Sequence, residues 1–483
     1  MTNPGELLLH GGTIRTLEDS KPLVEAVFCR DGRIIARGKL ADLRSLATPA
    51  TTELDLRGAT LLPGFNDAHV HIWKVGQLRT FLLDARGSSS IPELQDRIAD
   101  FCRDLAPGQW FQGRGYNEAR LAEGRHPTRQ DLDRVCPDRP AYLIRTCAHI
   151  AVANTRALEI AGIDAQTQPP PGGVIEHDPS GQPNGVLHET ALGLVANHIP
   201  PPSLEDYRTM IDEGARALIA QGVTSATDPA VHPELLHAYR AMDADGTLPF
   251  RVNCLAIRRP DAGTQTFPLP ERHESARPQI AGIKLFADSG LSGATAALTR
   301  PYKHADTRGV LRLDRAEIVE LAREAHEAGL RIGIHAIGDR AIGEVIAAYE
   351  QLARAAIGLP HRIEHFGLPT AEHLARAARI GLNAVPQAIF LRELGANFRR
   401  YLDDQYLHAA YPIRDMIDAG LNVALSTDAP VVSDLRPLAG IQAAVTREDA
   451  HGQPIAPEQD ISVPQALHAT THGGAIASGD HDN

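Results

Sequence analysis

The sequence predicts an α/β protein built on a (β/α)8 TIM barrel, and three observations predict it. From Glu205 onward one unit recurs: an amphipathic helix with apolar residues three and four apart, a glycine suited to a left-handed C-cap, then a short apolar strand. It is read at Ile219-Ala-Gln-Gly222, Glu327-Ala-Gly329, Arg379-Ile-Gly381 and Asp418-Ala-Gly420. These strands are apolar on both faces, as parallel strands covered by helical crossovers are. Leu61 to Phe65, Phe250 to Ile257, Ala281 to Phe286 and Arg362 to His365 bring the candidate strands to eight, the number that closes a barrel.

The elements follow in chain order. Apolar and polar residues alternate through Leu7 to Arg15, Ala26 to Arg30 and Arg33 to Arg37, with Asp31-Gly32 as a hairpin signal, which predicts a small β-sandwich module over residues 1–58. The run Thr60-Leu-Leu-Pro-Gly-Phe-Asn-Asp-Ala-His69-Val-His71 opens the barrel, predicted over 59–77 and 204–475. Residues 78–203 break the rhythm with Pro169-Pro-Pro-Gly-Gly173, Pro200-Pro-Pro202 and a strand of their own, Ala141 to Ile144. They read as an insertion after barrel strand one that covers the active site. Residues 476–483 are a short tail.

Composition narrows the function. The 483 residues carry 48 Lys and Arg against 60 Asp and Glu, a net charge of -12, which leaves no basic excess for phosphates and argues against nucleic acid and membrane surfaces as partners. At 43% hydrophobic and 22% charged residues the chain is an ordinary globular one. No basic leader precedes an apolar run, and no window of ~18 apolar residues marks a membrane span. Five widely spaced cysteines without a Cys-x-x-Cys pair read as reduced thiols. The expectation is a cytoplasmic protein with a small-molecule substrate, with a homodimer as an oligomeric form open to it.

The residues that carry chemistry sit at strand ends. Residues two apart on a strand share a face, so His69 and His71 project together from strand one and can chelate one ion. In Gly282-Ile-Lys-Leu-Phe286, Lys284 lies opposite Ile283 and Leu285 and points into the barrel if those two meet the outer helices. A buried ammonium is either neutralised by a carboxylate or loses its proton, and a neutral lysine can take up carbon dioxide as a carbamate able to bridge two cations. Strands five, six and eight end in His335, His365 and Asp428. Each alone is as readily a hydrogen-bonded histidine or a capping aspartate. Their joint occurrence on strands whose ends converge at one mouth is what points to a metal site. Four histidines suit zinc, and Asp428 with a carbamate would hold a second ion. Two ions ~3.5 to 4 Å apart share a hydroxide and polarise a carbonyl. That chemistry is hydrolysis, with Asp428 as general base and then acid.

With their surroundings these residues resemble the amidohydrolase superfamily. The motifs are Leu62-Pro-Gly-Phe-Asn-Asp-Ala-His-Val-His71, Pro127-Thr-Arg-Gln-Asp-Leu-Asp133, Pro137-Asp-Arg-Pro-Ala-Tyr-Leu-Ile-Arg145, Gly172-Gly-Val-Ile175, Ile283-Lys-Leu-Phe-Ala-Asp288, His335-Ala-Ile-Gly-Asp339, Arg362-Ile-Glu-His365 and Ser426-Thr-Asp-Ala-Pro430. They are similar to the amidohydrolase family 3 branch, the N-substituted formamide deformylase-like enzymes, from about Leu7 to Gly474. The resemblance implies two divalent ions, with His69 and His71 on the first, N6-carboxylated Lys284 as the bridge, His335 and His365 on the second, and Asp428 as first-metal ligand and catalytic acid/base. It also implies that His149 reaches the substrate, with Tyr116, Asn117 and Glu189 as weaker pocket candidates. The activity implied is hydrolysis of C–N bonds in amides, N-acyl or N-formyl compounds.

Two departures stand out. Ser292-Gly-Ala294-Thr-Ala-Ala lacks the arginine that the branch often carries at the place of Ala294. Relatives usually continue past the last helix with a glycine-lysine turn and strands that complete the small module, whereas this sequence stops at Asp480-His-Asp-Asn483, which predicts an incomplete module. Two other functions stay open. A mononuclear amidohydrolase-type deaminase would not need Lys284, and a non-catalytic barrel scaffold would not need all six ligands.

Overall fold

The computed structural model describes residues 5–480 except 19, 147–148, 262, 276, 304–305 and 353–360, so Cys147 and the end of the predicted tail lie outside the described residues. The chain forms two compact units, Met1–His71 with Arg216–Asn483, and Ile72–Ala215.

The first unit opens with β1 (Glu6–Arg15), β2 (Leu23–Arg30) and β3 (Arg33–Gly38), paired antiparallel in sequence order, while β4 (Thr51–Asp55) and β5 (Thr60–Leu61) run parallel to β1. Asp31 and Gly32, at φ 51 and 78, make the turn that joins β2 to β3. Two successive left-handed residues match the twist of the strands they connect, which is why Asp-Gly is favoured there. Leu8, Ala26, Phe28 and Leu43 form the core of the module. In place of the predicted sandwich, the described residues form one mixed sheet.

The predicted first barrel strand needs correcting. Leu61 to Phe65 does not run as one strand, because Pro63 has no N–H to give a ladder. Leu61 therefore pairs with Ile14 of the module, and the barrel strand starts later, as β6 (Phe65–Asp67).

The second unit holds a six-stranded sheet. Its strands are β7 (Leu83–Asp84), β8 (Phe111–Tyr116), β9 (Ala141–Arg145), β10 (Ile150–Ala153), β11 (Val174–His177) and β12 (Pro183–His188), in the order β11-β12-β10-β9-β8-β7. The helix Ile91–Cys102 starts at Ser90, whose hydroxyl accepts from the Glu93 N–H. Its Ile91, Leu94 and Ile98 share a core with Phe111, Leu132 and Leu143.

The first unit resumes with β13 (Val223–Val231), β14 (Arg251–Ile257), β15 (His273–Glu274), β16 (Gln279–Phe286), β17 (Arg331–Ala336), β18 (Arg362–His365), β19 (Asn383–Val385) and β20 (Asn422–Val423). Eight parallel strands follow one another as β6-β13-β14-β16-β17-β18-β19-β20, a curled sheet consistent with a TIM-barrel-like fold. Ile283, Leu285, Ile332, Ile334 and Ile363 are buried in one cluster with Ile318, Val319, Ala322, Ile342 and Ile346 of the helices Arg315–Glu327 and Asp339–Leu352. Because strand side chains alternate, Lys284, Gly333, His335, Arg362 and Glu364 face the other way, into the barrel. Among the described residues no helix is long and apolar enough to cross a membrane.

A buried histidine behind this sheet, His361, is expected to make the fold acid-sensitive. His361 Nδ1 accepts the Ile332 N–H at 3.2 Å, so in the neutral ring the proton sits on Nε2, 2.8 Å from His326 Nδ1. The ring also stacks on Tyr349, with centroids 5.3 Å apart. Burial, and secondarily His326, push the His361 imidazole down to about 3, against 6.5 for the ordinary group. A proton added at Nδ1 would meet the Ile332 N–H. The unfolded chain thus binds more protons than the native one between these two values, and stability falls as pH drops from about 6.5 toward 3. Urea unfolding from pH 7 to pH 5 should show it, with a pH slope shallower by up to ~1.4 kcal/mol per unit in His361→Asn. An unchanged slope would contradict the assignment.

Candidate metal centre

The centre is built at the C-terminal ends of the barrel strands. His69 and His71 lie just past β6, where the chain leaves the strand and is held by its backbone. The His69 N–H donates to Asp67 Oδ1, the Val70 N–H to Thr227 O and the His71 N–H to Ala429 O, at 3.2, 3.0 and 2.9 Å. Asp428 lies past β20, at φ 55, and its N–H donates to His69 O at 2.7 Å. Asp67 also accepts the Thr427 N–H and hydroxyl, at 3.1 and 2.6 Å, so one carboxylate ties the first strand end to the eighth. Burial raises the Asp67 carboxyl to about 6, against the hydrogen bonds that it accepts.

His69, His365 and Asp428 present ligand atoms that all lie within 4.8 Å of one another. Asp428 Oδ1 is 3.5 Å from Nε2 of both His69 and His71. That distance is long for a strong hydrogen bond, yet two donors each ~2.0 to 2.2 Å from a tetrahedrally bound ion lie about 3.4 Å apart. The His365 ring centroid lies 4.9 Å from that of His69 and 4.3 Å from that of His335. Strand alternation alone would send His365 to the face opposite Glu364. It reaches the mouth because it ends β18 in the left-handed region, at φ 70, followed by Phe366 at φ 46.

Hydrogen bonds fix which ring nitrogen is free. His69 Nδ1 is 2.5 Å from Glu364 Oε2, and Arg362 donates to both oxygens of Glu364. Burial would raise the Glu364 carboxyl, but Arg362, His69 and Lys284 together hold it well below the usual carboxylate range. As an ionised acceptor it receives a hydrogen bond from Nδ1–H, leaving the Nε2 lone pair of His69 toward Asp428. His365 Nδ1 is 2.8 Å from Gln387 Oε1, which only accepts, so its Nε2 is likewise free. His335 Nε2 faces the Ser289 carbonyl at 3.2 Å and Asp288 Oδ1 at 3.3 Å, which leaves Nδ1 as its free donor. Burial pushes the His69 imidazole down to about 4 and His365 well below its ordinary value, so both are neutral, as ligands must be.

Lys284 is 1% exposed on β16, and its Nζ has no hydrogen-bond partner among the described residues. It lies 4.8 Å from the Phe286 ring centroid, and burial pushes the ammonium down to about 8, against the fields of Glu364 and Asp428. An orphaned amine in this donor set fits a carbamate and a metal ion.

Glu364, Arg362, Gln387, Asp288 and Asp67 were not expected from the sequence as parts of the site. The only sequence signal for the first two is their spacing, which puts both on the face opposite Ile363. Gly333 is the space that admits Glu364, since a Cβ there would lie 2.6 Å from Oε1. The other expected residues belong to the second unit. The Tyr116 hydroxyl is 3.0 Å from His126 Nδ1, Asn117 Oδ1 caps the turn at the Ala119 N–H, and exposed His149 pairs with Glu189 at 3.0 Å. Ala294, at the place of the missing arginine, is left-handed at φ 56.

Comparison with known proteins gives the family. Residues 52–483 match the model of the amidohydrolase family. The chain is 30% identical to N-substituted formamide deformylase of Arthrobacter pascens, over 99% of this chain and 90% of that protein. It is 32% identical to the amidohydrolase YtcJ of Bacillus subtilis, over 96% and 89%. A crystal structure of a metal-dependent hydrolase from Pyrococcus horikoshii superposes with a TM-score of 0.82 at 26% identity, covering 99% of this chain and 94% of that one. The chain belongs to the amidohydrolase family and is a hydrolase acting on carbon–nitrogen bonds.

Proposed function

We propose that the protein hydrolyses small amides, N-acyl or N-formyl compounds, using two zinc ions held by His69, His71, N6-carboxylated Lys284, His335, His365 and Asp428. The observation that carries this reading is the buried Nζ of Lys284, without a hydrogen-bond partner among the described residues, in the field of the Asp428 carboxylate that groups with His69 and His365. The name of the Arthrobacter relative supports an N-formyl substrate. The roles expected of Tyr116, Asn117, His149 and Glu189 toward substrate belong to the same proposal.

When bound, such ions lower the pKa of water toward neutrality and polarise a carbonyl. The chain's own residues do the rest. Glu364 and Gln387 hold His69 and His365 in single tautomers, so the ligand set is organised before anything binds. Asp428 is buried among the histidines and takes the proton of the attacking water, then delivers it to the leaving nitrogen.

Metal analysis of purified protein should find close to two divalent ions per chain, with activity lost to chelators and restored by zinc. Substrate is identified by screening the zinc-loaded protein against N-formyl amines, N-acyl amino acids, cyclic amides and esters. A second reading, one ion on His69, His365 and Asp428, is favoured by the close grouping of those three. Full activity at one ion per chain would establish it and overturn the paired site.

A further inference from the structure

We propose that the hydroxyl of Tyr411 donates a hydrogen bond to the acyl oxygen of the substrate as negative charge grows on it. This rests on the amide-hydrolase reading above. Tyr411 is fully buried, at 0% exposure, yet its hydroxyl has no hydrogen-bond partner among the described residues. A buried O–H left unpaired is a cost that native structures seldom keep without a use.

The residue is held firmly in an unfavourable conformation. Its φ is 49, a left-handed backbone that a bulky side chain rarely adopts. Hydrogen bonds keep it there: its N–H donates to Gly367 O at 2.7 Å, its carbonyl accepts from Arg447 Nη1 at 3.0 Å and from the Ile413 N–H at 2.8 Å, and Arg447 Nη2 donates to the carbonyl of Ala410 at 2.8 Å. Arg447 is itself fully buried, and the only acceptors found for its guanidinium among the described residues are backbone carbonyls, two of them in this turn. The clamp thus fixes the place of one phenol.

That place is beside the strand end that carries His365. The hydroxyl-bearing Cζ lies 3.4 Å from where a Cβ on Gly367 would sit, two residues after His365. The ring meets Phe390 edge-on at 6.0 Å, and Phe390 stacks on His365 at 6.3 Å. Tyr411 and Lys284 both feel the Asp428 carboxylate, and both are buried donors without a hydrogen-bond partner among the described residues. Burial, with Asp428 and Asp288, raises the phenol well above its ordinary value, so the group stays an O–H donor at any working pH. A donor fixed in advance at a developing oxyanion needs no reorganisation during the reaction, which is why such donors accelerate acyl transfer.

The test is Tyr411→Phe in the zinc-loaded enzyme, read as kcat, KM, metal content and melting temperature. The expected result is a fall in kcat of about 100-fold with KM and metal content nearly unchanged. The substrate-free melting temperature should hold or rise, because the unpaired hydroxyl is gone. Unchanged kcat overturns the proposal. So does a lowered melting temperature, which would reveal a structural partner for the hydroxyl. A wild type inert toward every amide in the panel counts against the functional reading, and the melting comparison still reads the hydroxyl: a fall overturns the unpaired donor, a rise supports it.

Discussion

Asp428→Asn is expected to lower kcat by at least ~100-fold, the lower scale for general acid/base catalysis, while metal content falls less. The substitution keeps the shape and one carbonyl oxygen, so the 3.5 Å approaches to His69 and His71 Nε2 can persist. The backbone also tolerates it. Asp428 sits at φ 55 with its N–H on His69 O, and asparagine is among the residues that best accept that conformation. What the amide cannot do is take a proton and return it. Steady-state kinetics on a confirmed substrate, alongside metal analysis, separates the two losses. Turnover near the wild-type value would show that another group moves the proton.

The barrel was legible because its signals are local. Helix period, C-cap glycine and apolar strand recur within each unit, and the strand-end residues His335, His365 and Asp428 fall where that rhythm puts them. The first strand is harder to place, because an apolar run reads through Pro63 while the backbone cannot. A strand-end position places His365 at the mouth, but only its left-handed backbone explains how a residue adjacent to inward-facing Glu364 also gets there. Partnerships across the barrel left no local trace. Glu364 and His69 are 295 residues apart, and neither period nor composition connects them. The same holds for Gln387 on His365, for Asp288 near His335, and for the Arg447 clamp on Tyr411. Such residues set tautomers and angles, properties fixed by three-dimensional contact.

Lys284→Ala is expected to remove metal and activity together, with acetate or formate at high concentration restoring part of both. The expectation follows from the environment of the amine. Burial pushes Lys284 down to about 8, so a sizeable share is neutral just below that pH, and the neutral amine is the form that adds carbon dioxide. On the proposed reading, carboxylation would replace this buried ammonium with an anion able to ligate metal. If Lys284 instead stayed an ammonium balanced by the field of Glu364, it could not ligate a cation. Alanine would then leave the metals in place, with Glu364 still paired to Arg362. A small carboxylate would have nothing to replace. Metal content of the variant with and without acetate therefore distinguishes the two states without relying on turnover. A crystal of the zinc-loaded wild type decides directly: density for a carboxylate on Nζ supports the bridge, and a bare amine beside two ions with no bridging anion rules it out.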